Sequence, residues 1–545
     1  MSQRVFVILL AVAWVVQTGV QAQVDSEAQA ACRALVGIPN LTILSAELRE
    51  ADGSAPQQCY VRGLISPAIH YHVQLPLPSD WNGRFLGWGD GGKDGDLDFA
   101  DHRVAEGYAV ANSNTGHDSG SEPGASFGFN NRQAEIDFGY RAVHVMANAG
   151  KSVVRAYYGK DAEYSYFEGC STGGKQGLME AQRFPDDFDG IVAGDPVNHY
   201  QALNISHVWN LQRVSQNDFA GMPAYDADSD GLFESVTKLR RIHEMVLEKC
   251  DALDGIRDGV IDNPQQCDFD PERDLAHMMC PGDENSSECL TRTQLQTVKD
   301  FYTGPYDSQG ISILRGKSFG SELDWARRYI PQPVNSGSPS QVSVSGDHIN
   351  FLFYEEDPGI PPADLQDLSH RVDGQGELPE WAWWNYDIDD FTAGRGALMS
   401  SIMDAVDPDL ESFLIENKGK LILYHGWADP SPPPLATIDY YQEVARTTFS
   451  EDMTRTREHT RLFMIPGMGH CRGGPAPDEW DKLAPLVEWV EQGKAPDHLV
   501  AVHRTDGVVD NERRICAYPE QAVYTGPSEG RNDPANWVEE NFRCR

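Results

Sequence analysis

The sequence predicts an α/β domain interrupted by a large insertion. Short apolar runs alternate with helix-like stretches from Arg84 to Ala193. The rhythm is lost between Asn198 and Gly394, and it returns at Lys420. Such alternation marks a parallel sheet covered by helices. Before the gap, Arg84–Leu86, Tyr108–Ala111, Tyr164–Phe167 and Gly190–Ala193 read as strands, and Gln133–Tyr158 and Lys175–Arg183 as helices. After it come the strand Lys420–His425, the helix Pro434–Thr447, the strand Arg461–Ile465 and the helix Asp478–Gln492. The stretch between reads as acidic loops with a Gly/Pro/Ser segment at Pro331–Pro339. Residues 23–197 and 395–545 are therefore expected to form one domain, and 198–394 a lid or binding domain over it.

Met1–Ala22 reads as an export signal. Arg4 supplies the positive charge, Val5–Val16 is apolar, and Val20-Gln21-Ala22 ends in a small-x-small cleavage pattern. The apolar run is too short to span hydrocarbon, so a secreted, soluble product is expected. The chain has 83 acidic and 44 basic residues, a formal net charge of −39. That charge disfavours nucleic acid and anionic membrane surfaces, which need a basic footprint. Export makes the ten cysteines informative. Counting alone leaves on the order of a thousand pairings. Sequence neighbours suggest Cys32–Cys59, Cys250–Cys267, Cys280–Cys289 and Cys516–Cys544, which leaves Cys170 and Cys471 as the fifth pair.

The chemistry centres on Gly169-Cys170-Ser171-Thr172-Gly173-Gly174, which matches G-x-S-x-G between a strand and a helix. On its own the motif is often only a glycine-rich turn; in this context it fits a nucleophile elbow, whose glycines permit the strained turn. A serine nucleophile needs a base and an orienting acid, which in α/β-hydrolases follow in the order Ser, Asp, His at strand ends. Asp429 follows the strand ending at His425, and His470 follows the strand ending at Ile465. An isolated histidine is usually structural, but the order, the strand ends and the flanking glycines favour His470 as the base. Cys170 and Cys471 adjoin nucleophile and base, so a bond between them would tie the two together.

At this point the sequence resembles the tannase/feruloyl esterase family, whose hallmark is a Cys-Ser, Asp, His-Cys constellation. The resemblance rests on Trp81–Leu86, Gly169–Gly177, Leu421–Asp429, Gly467–Cys471 and Arg514–Tyr518 and covers the mature chain. It implies an α/β-hydrolase fold with a large inserted lid and a triad of Ser171, Asp429 and His470. The activity implied is secreted hydrolysis of aromatic-acid esters of feruloyl type, free or attached to plant polysaccharide or polyphenol. Tannase and terephthalate-monoester hydrolase are the alternatives within the family. The rival from another class is a non-catalytic, calcium-dependent binding protein on a hydrolase scaffold, which would need no complete triad.

Gly87-Trp88-Gly89-Asp90-Gly91-Gly92 formally fits a dinucleotide fingerprint, but Lys93-Asp94-Gly95-Asp96 does not open the required helix. The loop is better read as giving one oxyanion-hole N–H, from Gly91 or Gly92, with the other from Thr172. In the insertion, Asp251, Asp254 and Asp258 lie close enough in sequence to repel unless solvated or bridged by a cation. An acidic surface loop is the ordinary reading; calcium suits the oxygen donors. The resemblance implies a lid calcium site here, completed by the carbonyls of Ile256 and Val260. Asp226, Asp228 and Asp230 open like an EF-hand loop, but Thr237 stands where Glu is needed. Trp381, Trp383, Trp384 and Tyr386 read more readily as lid core than as an acyl pocket, and Arg395 as a surface residue. Asn40, Asn204 and Asn285 begin glycosylation sequons.

Overall fold

The fold is described from a computed structural model over residues 27–222, 237–330, 344–357 and 385–545. The expected signal Met1–Ala22, the Asp226–Asp230 run, Pro331–Pro339 and Trp381, Trp383 and Trp384 lie outside the described residues. The described chain falls into two compact units. One takes the residues through Trp88 with Gly95–His117 and Arg141–Tyr166, and the other Gly89–Asp94, Asp118–Tyr140 and Phe167–Arg545. Among the described residues, no helix is long and apolar enough to cross a membrane.

In the first unit, strands β1 (Thr42–Arg49), β2 (Gln58–Ile65), β3 (Ile69–Pro76), β4 (Arg84–Trp88) and β5 (Ala109–Ser113) run in the order β1-β2-β3-β5-β4. Neighbours from β1 to β5 are antiparallel, and β4 pairs with β5 in parallel. The first three strands were not expected from the sequence. Charged Glu47 and Arg49 on β1 and Arg62 on β2 interrupt the apolar pattern, as suits a solvated sheet edge. Helix α1 (Ala142–Tyr158) buries Val143, Met146, Ala147, Val153 and Val154 at helical spacing. The helix expected from Gln133 is broken: a short helix, Arg132–Ile136, passes through a wide π-turn at Asp137–Arg141 before α1 starts.

Strands β6 (Tyr164–Cys170, which enters the second unit at Phe167), β7 (Gly190–Gly194), β8 (Lys420–Gly426) and β9 (Thr460–Ile465) are neighbours in that order. The pairs β7/β8 and β8/β9 are parallel. Leu421, Ile422, Leu423 and Tyr424 are all buried, the continuous apolar run typical of a parallel strand covered on both faces. The register sets Gly194 opposite Tyr424 and Gly426 opposite Ile465, so β8 and β9 end level, two residues beyond the end of β7. Helix α2 (Thr172–Arg183) follows β6 directly.

The 198–394 region is more helical than its composition suggested. It contains α3 (Tyr200–Phe219), α4 (Thr237–Cys250), α5 (Arg292–Thr303) and α6 (Glu322–Tyr329). Ile205, Leu239, Val298, Phe301, Trp325 and Tyr329 pack into a core of residues between Ile205 and Tyr386. Tyr386 belongs to that core, Asn204 is buried in α3, and Arg395 is an exposed partner of Asp390. Beyond β8 come α7 (Pro434–Phe449) and α8 (Ala484–Gln492). The helix expected from Asp478 starts later, because the Asp481 carboxylate accepts from the N–H groups of Leu483 and Ala484 and caps it there. Strands β10 (His498–Thr505) and β11 (Val508–Cys516) form a hairpin. Five disulfides join Cys32–Cys59, Cys170–Cys471, Cys250–Cys267, Cys280–Cys289 and Cys516–Cys544.

Candidate active site

Ser171 stands between β6 and α2 with φ 63° and ψ −119°. A positive φ is costly for a residue with a Cβ, on the order of 1–2 kcal/mol. Surrounding hydrogen bonds hold it: Ser171 N–H donates to the Gly194 carbonyl at 2.9 Å. The Ser171 carbonyl accepts from Lys175 N–H at 3.1 Å and Val197 N–H at 3.2 Å. The neighbouring glycines are required by close approach. A Cβ on Gly169 would lie 2.6 Å from the Gly173 carbonyl, and one on Gly173 would lie 2.9 Å from the Gly89 backbone.

Asp429 and His470 sit on loops after β8 and β9 that are stitched together. Trp427 N–H donates to the Ile465 carbonyl at 2.8 Å, and Ala428 N–H to that of Met468 at 3.0 Å. His470 Nε2 lies 2.8 Å from Ser171 Oγ, and His470 Nδ1 lies 2.6 Å from Asp429 Oδ2. The structure thus brings together all three side chains picked from the sequence. Asp429 is fully buried, and its Oδ1 accepts from Ser431 N–H at 2.8 Å. Burial opposes its ionisation, but His470 and His425 outweigh that and hold the carboxyl well below its usual range. The Cys170–Cys471 bond joins the residues flanking Ser171 and His470, with Cα atoms 6.1 Å apart.

The glycine loop meets the start of α2. Gly89 N–H donates to the Glu168 carbonyl at 2.9 Å, and Asp90 N–H to Gln176 Oε1 at 3.2 Å. Thr172 Oγ donates to the Gly92 carbonyl at 2.6 Å, which fixes Gly92 beside the first residue of the helix. Gly91 is the neighbouring residue of the same loop, with open space where a Cβ would be. As the first helical residue, Thr172 has an N–H without an intrahelical acceptor. No helix opens after Gly92, so the loop lacks the helix N-terminus that a dinucleotide pyrophosphate needs.

A buried network behind Asp429 was not read from the sequence. Lys317 Nζ donates to the Pro430 carbonyl at 2.7 Å, and Tyr329 OH donates to the same oxygen at 3.3 Å. His207 bridges Ser345 Oγ at 2.9 Å and Ser431 Oγ at 3.2 Å. Burial pulls the Lys317 ammonium down to about 7. Groups from the 198–394 stretch therefore grip the two residues that follow Asp429. Nothing in the local sequence marks Lys317 or His207, because their partners are more than 100 positions away along the chain.

The acidic loop holds a second surprise. Arg513, on β11 and almost fully buried, reaches Asp254, lies 2.5 Å from Asp258 and 2.9 Å from Asp262. Asp251 accepts from Asp258 N–H at 3.1 Å and Gly259 N–H at 3.3 Å. Burial, with Asp258 alongside, pushes Asp251 up to about 6, and burial raises Asp262 above the usual carboxylate range. Three carboxylates thus contact one guanidinium, and a fourth, Asp251, lies on the same loop. That surplus of hard anionic oxygens fits a divalent cation, although the carboxylates of Asp251, Asp254 and Asp258 do not gather within 4.8 Å of one another.

Residues 55–536 match the profile of the family described as tannase and feruloyl esterase. Mono(2-hydroxyethyl) terephthalate hydrolase of Piscinibacter sakaiensis is 31% identical over 542 aligned residues, spanning 90% of this chain and 85% of its own. Feruloyl esterase B of Aspergillus niger is 29% identical over 492 residues, spanning 87% and 84%. The fold matches the crystal structure of feruloyl esterase B from Aspergillus oryzae with a TM-score of 0.77 at 24% identity, over 95% of this chain and 100% of that one. It matches the tannin acyl hydrolase of Aspergillus niger with a TM-score of 0.70 at 22% identity, over 96% and 94%. With the profile spanning most of its length, the chain belongs to the tannase and feruloyl esterase family of carboxylic ester hydrolases, built on the α/β-hydrolase fold.

Proposed function

We propose that this chain is an exported serine esterase that hydrolyses esters of aromatic acids through Ser171, His470 and Asp429. The observation that carries the reading is the relay of 2.8 Å from Ser171 Oγ to His470 Nε2 and 2.6 Å from His470 Nδ1 to Asp429. His470 takes the Ser171 proton as Oγ adds to the ester carbonyl. Asp429 stabilises the resulting imidazolium, and the N–H groups of Thr172 and the Gly91–Gly92 loop face the oxyanion. Collapse expels the alcohol, protonated by His470, and leaves an acyl group on Ser171. Water, deprotonated by His470, then attacks the acyl-enzyme and releases the acid.

The substrate class is supported by two relatives whose names specify esters of aromatic acids, a feruloyl ester and a terephthalate monoester. Feruloyl esters, free or attached to plant polysaccharide or polyphenol, are the primary candidates. Turnover of methyl ferulate, methyl gallate, chlorogenate and a terephthalate monoester tests this. Preference for a simple aliphatic ester over all four removes the aromatic assignment. Activity is expected to fall on acidification, because imidazolium His470 has no lone pair for the serine proton. A rate profile that stays flat well below about pH 5 excludes a histidine base.

The 198–394 region, with its own core, is read as the lid. Calcium there would be held by Asp251, Asp254 and Asp258 with the carbonyls of Ile256 and Val260, next to Arg513, and would act structurally by offsetting the surplus carboxylate charge. Chelation is therefore expected to lower the melting temperature more than the initial rate. An unchanged melting temperature after exhaustive chelation removes the calcium assignment.

A further inference from the structure

Asp195, directly after β7, is fully buried, and its carboxylate shares one pocket with His425 and Asp429. A ligand oxygen of each acid and a ring nitrogen of His425 all lie within 4.8 Å of one another. Two carboxylates this close and this dry do not both ionise. The hydrogen bonds decide which one keeps the charge. Asp429 receives His470 Nδ1–H and Ser431 N–H at 2.6 and 2.8 Å. Asp195 Oδ1 receives Gly426 N–H at 3.0 Å, with His425 Nε2 farther off at 3.7 Å. His425 cannot serve as a metal ligand for the pair through Nε2. The Pro432 carbonyl, 3.1 Å from Nε2, can only accept, so that nitrogen carries a proton, while Nδ1 meets Thr437 Oγ at 2.7 Å. The remaining ionisable neighbour from β8 is buried Tyr424, whose backbone carbonyl accepts from Asp195 N–H at 2.8 Å.

We infer that Asp195 is a positioning residue held as a neutral carboxylic acid, so that Asp429 is the single negative charge behind His470. Asp195 Oδ1 accepts from Gly426 and holds the turn that leads to Asp429; its proton resides on Oδ2. Desolvation, with Asp429 alongside, raises its pKa well above the usual carboxylate range, in the same direction. This role rests on the triad reading, because it concerns the charge that His470 experiences.

Two readouts test it. The first is infrared difference spectroscopy of wild type against Asp195→Asn at neutral pH. The expected result is the loss of a protonated-carboxyl carbonyl band, and the loss of a carboxylate band instead overturns the inference. This readout requires no activity, so it stands even if Ser171→Ala were to show that the serine mechanism is wrong. The second is the acid limb of kcat/KM. Replacing a neutral acid by Asn leaves the limb in place, whereas removing a real negative charge so near the relay would move it by about one pH unit or more. A shifted limb therefore also overturns the inference. Asp195→Ala, which removes the acceptor for Gly426 N–H, is expected to lower kcat by about 10- to 100-fold with little change in KM, and Asn restores most of that loss. Equal losses in Ala and Asn overturn the positioning role. If Asp195→Asn does not fold, Asp195→Ser, also uncharged and able to accept from Gly426, replaces it in both readouts.

Discussion

Ser171→Ala is expected to reduce kcat by about a million-fold, with substrate binding largely retained, and Asp429→Ala by a smaller factor of about ten thousand. The difference follows from the geometry. Without Ser171 Oγ no acyl-enzyme forms, and what remains is the contribution of the oxyanion donors and binding alone. Without Asp429 the nucleophile and base remain 2.8 Å apart, but His470 Nδ1 loses its 2.6 Å partner and with it the tautomer and orientation that leave Nε2 free to accept. Groups that act as one unit are not additive. A Ser171→Ala/His470→Ala double variant is therefore expected to be about as slow as either single variant. Single-turnover release of nitrophenol from an activated ester measures both effects. Near wild-type turnover by Ser171→Ala, or losses that multiply in the double variant, would exclude the relay.

The relay was legible in the sequence for a topological reason. In a parallel sheet the reactive side chains come from the carboxyl ends of strands, and β6, β8 and β9 are apolar runs that announce themselves. Ser171, Asp429 and His470 each come shortly after such a run, flanked by glycines that mark the turn. The supporting layer has no such marker. Lys317 and His207 touch the loop after Asp429, and Arg513 the Asp254–Asp262 loop, across large sequence separations, and each looks like an ordinary polar residue along the chain. Asp195 had a weak signal that went unread, an acid immediately after a fully buried strand. The first three strands were missed for another reason. They are antiparallel and partly solvated, so polar residues dilute the pattern that the inner parallel strands display cleanly. The helices of the insertion were hidden by its acidic loops, although Thr291 and Gln294 form a capping box that the sequence does display.

Removing the Cys170–Cys471 bond is expected to cost most of the activity even where the protein stays folded. The bond closes a loop with a sequence separation of 301. In the chain-entropy description its loss destabilises by about 5 kcal/mol or more, against about 3–4 kcal/mol for Cys516–Cys544. Stability is the smaller part of the argument, because both bonds contribute to it. Only Cys170–Cys471 joins the residue before the nucleophile to the residue after the base, and both Ser171 and Cys471 are held at positive φ, near 63° and 65°. Such backbone relaxes when a restraint is lifted. A displacement of about 1 Å between Ser171 Oγ and His470 Nε2 costs on the order of a hundredfold in rate. Cys170→Ala/Cys471→Ala should therefore lose about a hundredfold in kcat at a temperature where circular dichroism shows it folded. Cys516→Ala/Cys544→Ala should lower the melting temperature and leave kcat near wild type. Comparing the two double variants at matched distance below their melting points separates the effects. A folded Cys170→Ala/Cys471→Ala variant that turns over like wild type would show that the loops stitched at Trp427 and Ala428 hold the relay without the bond.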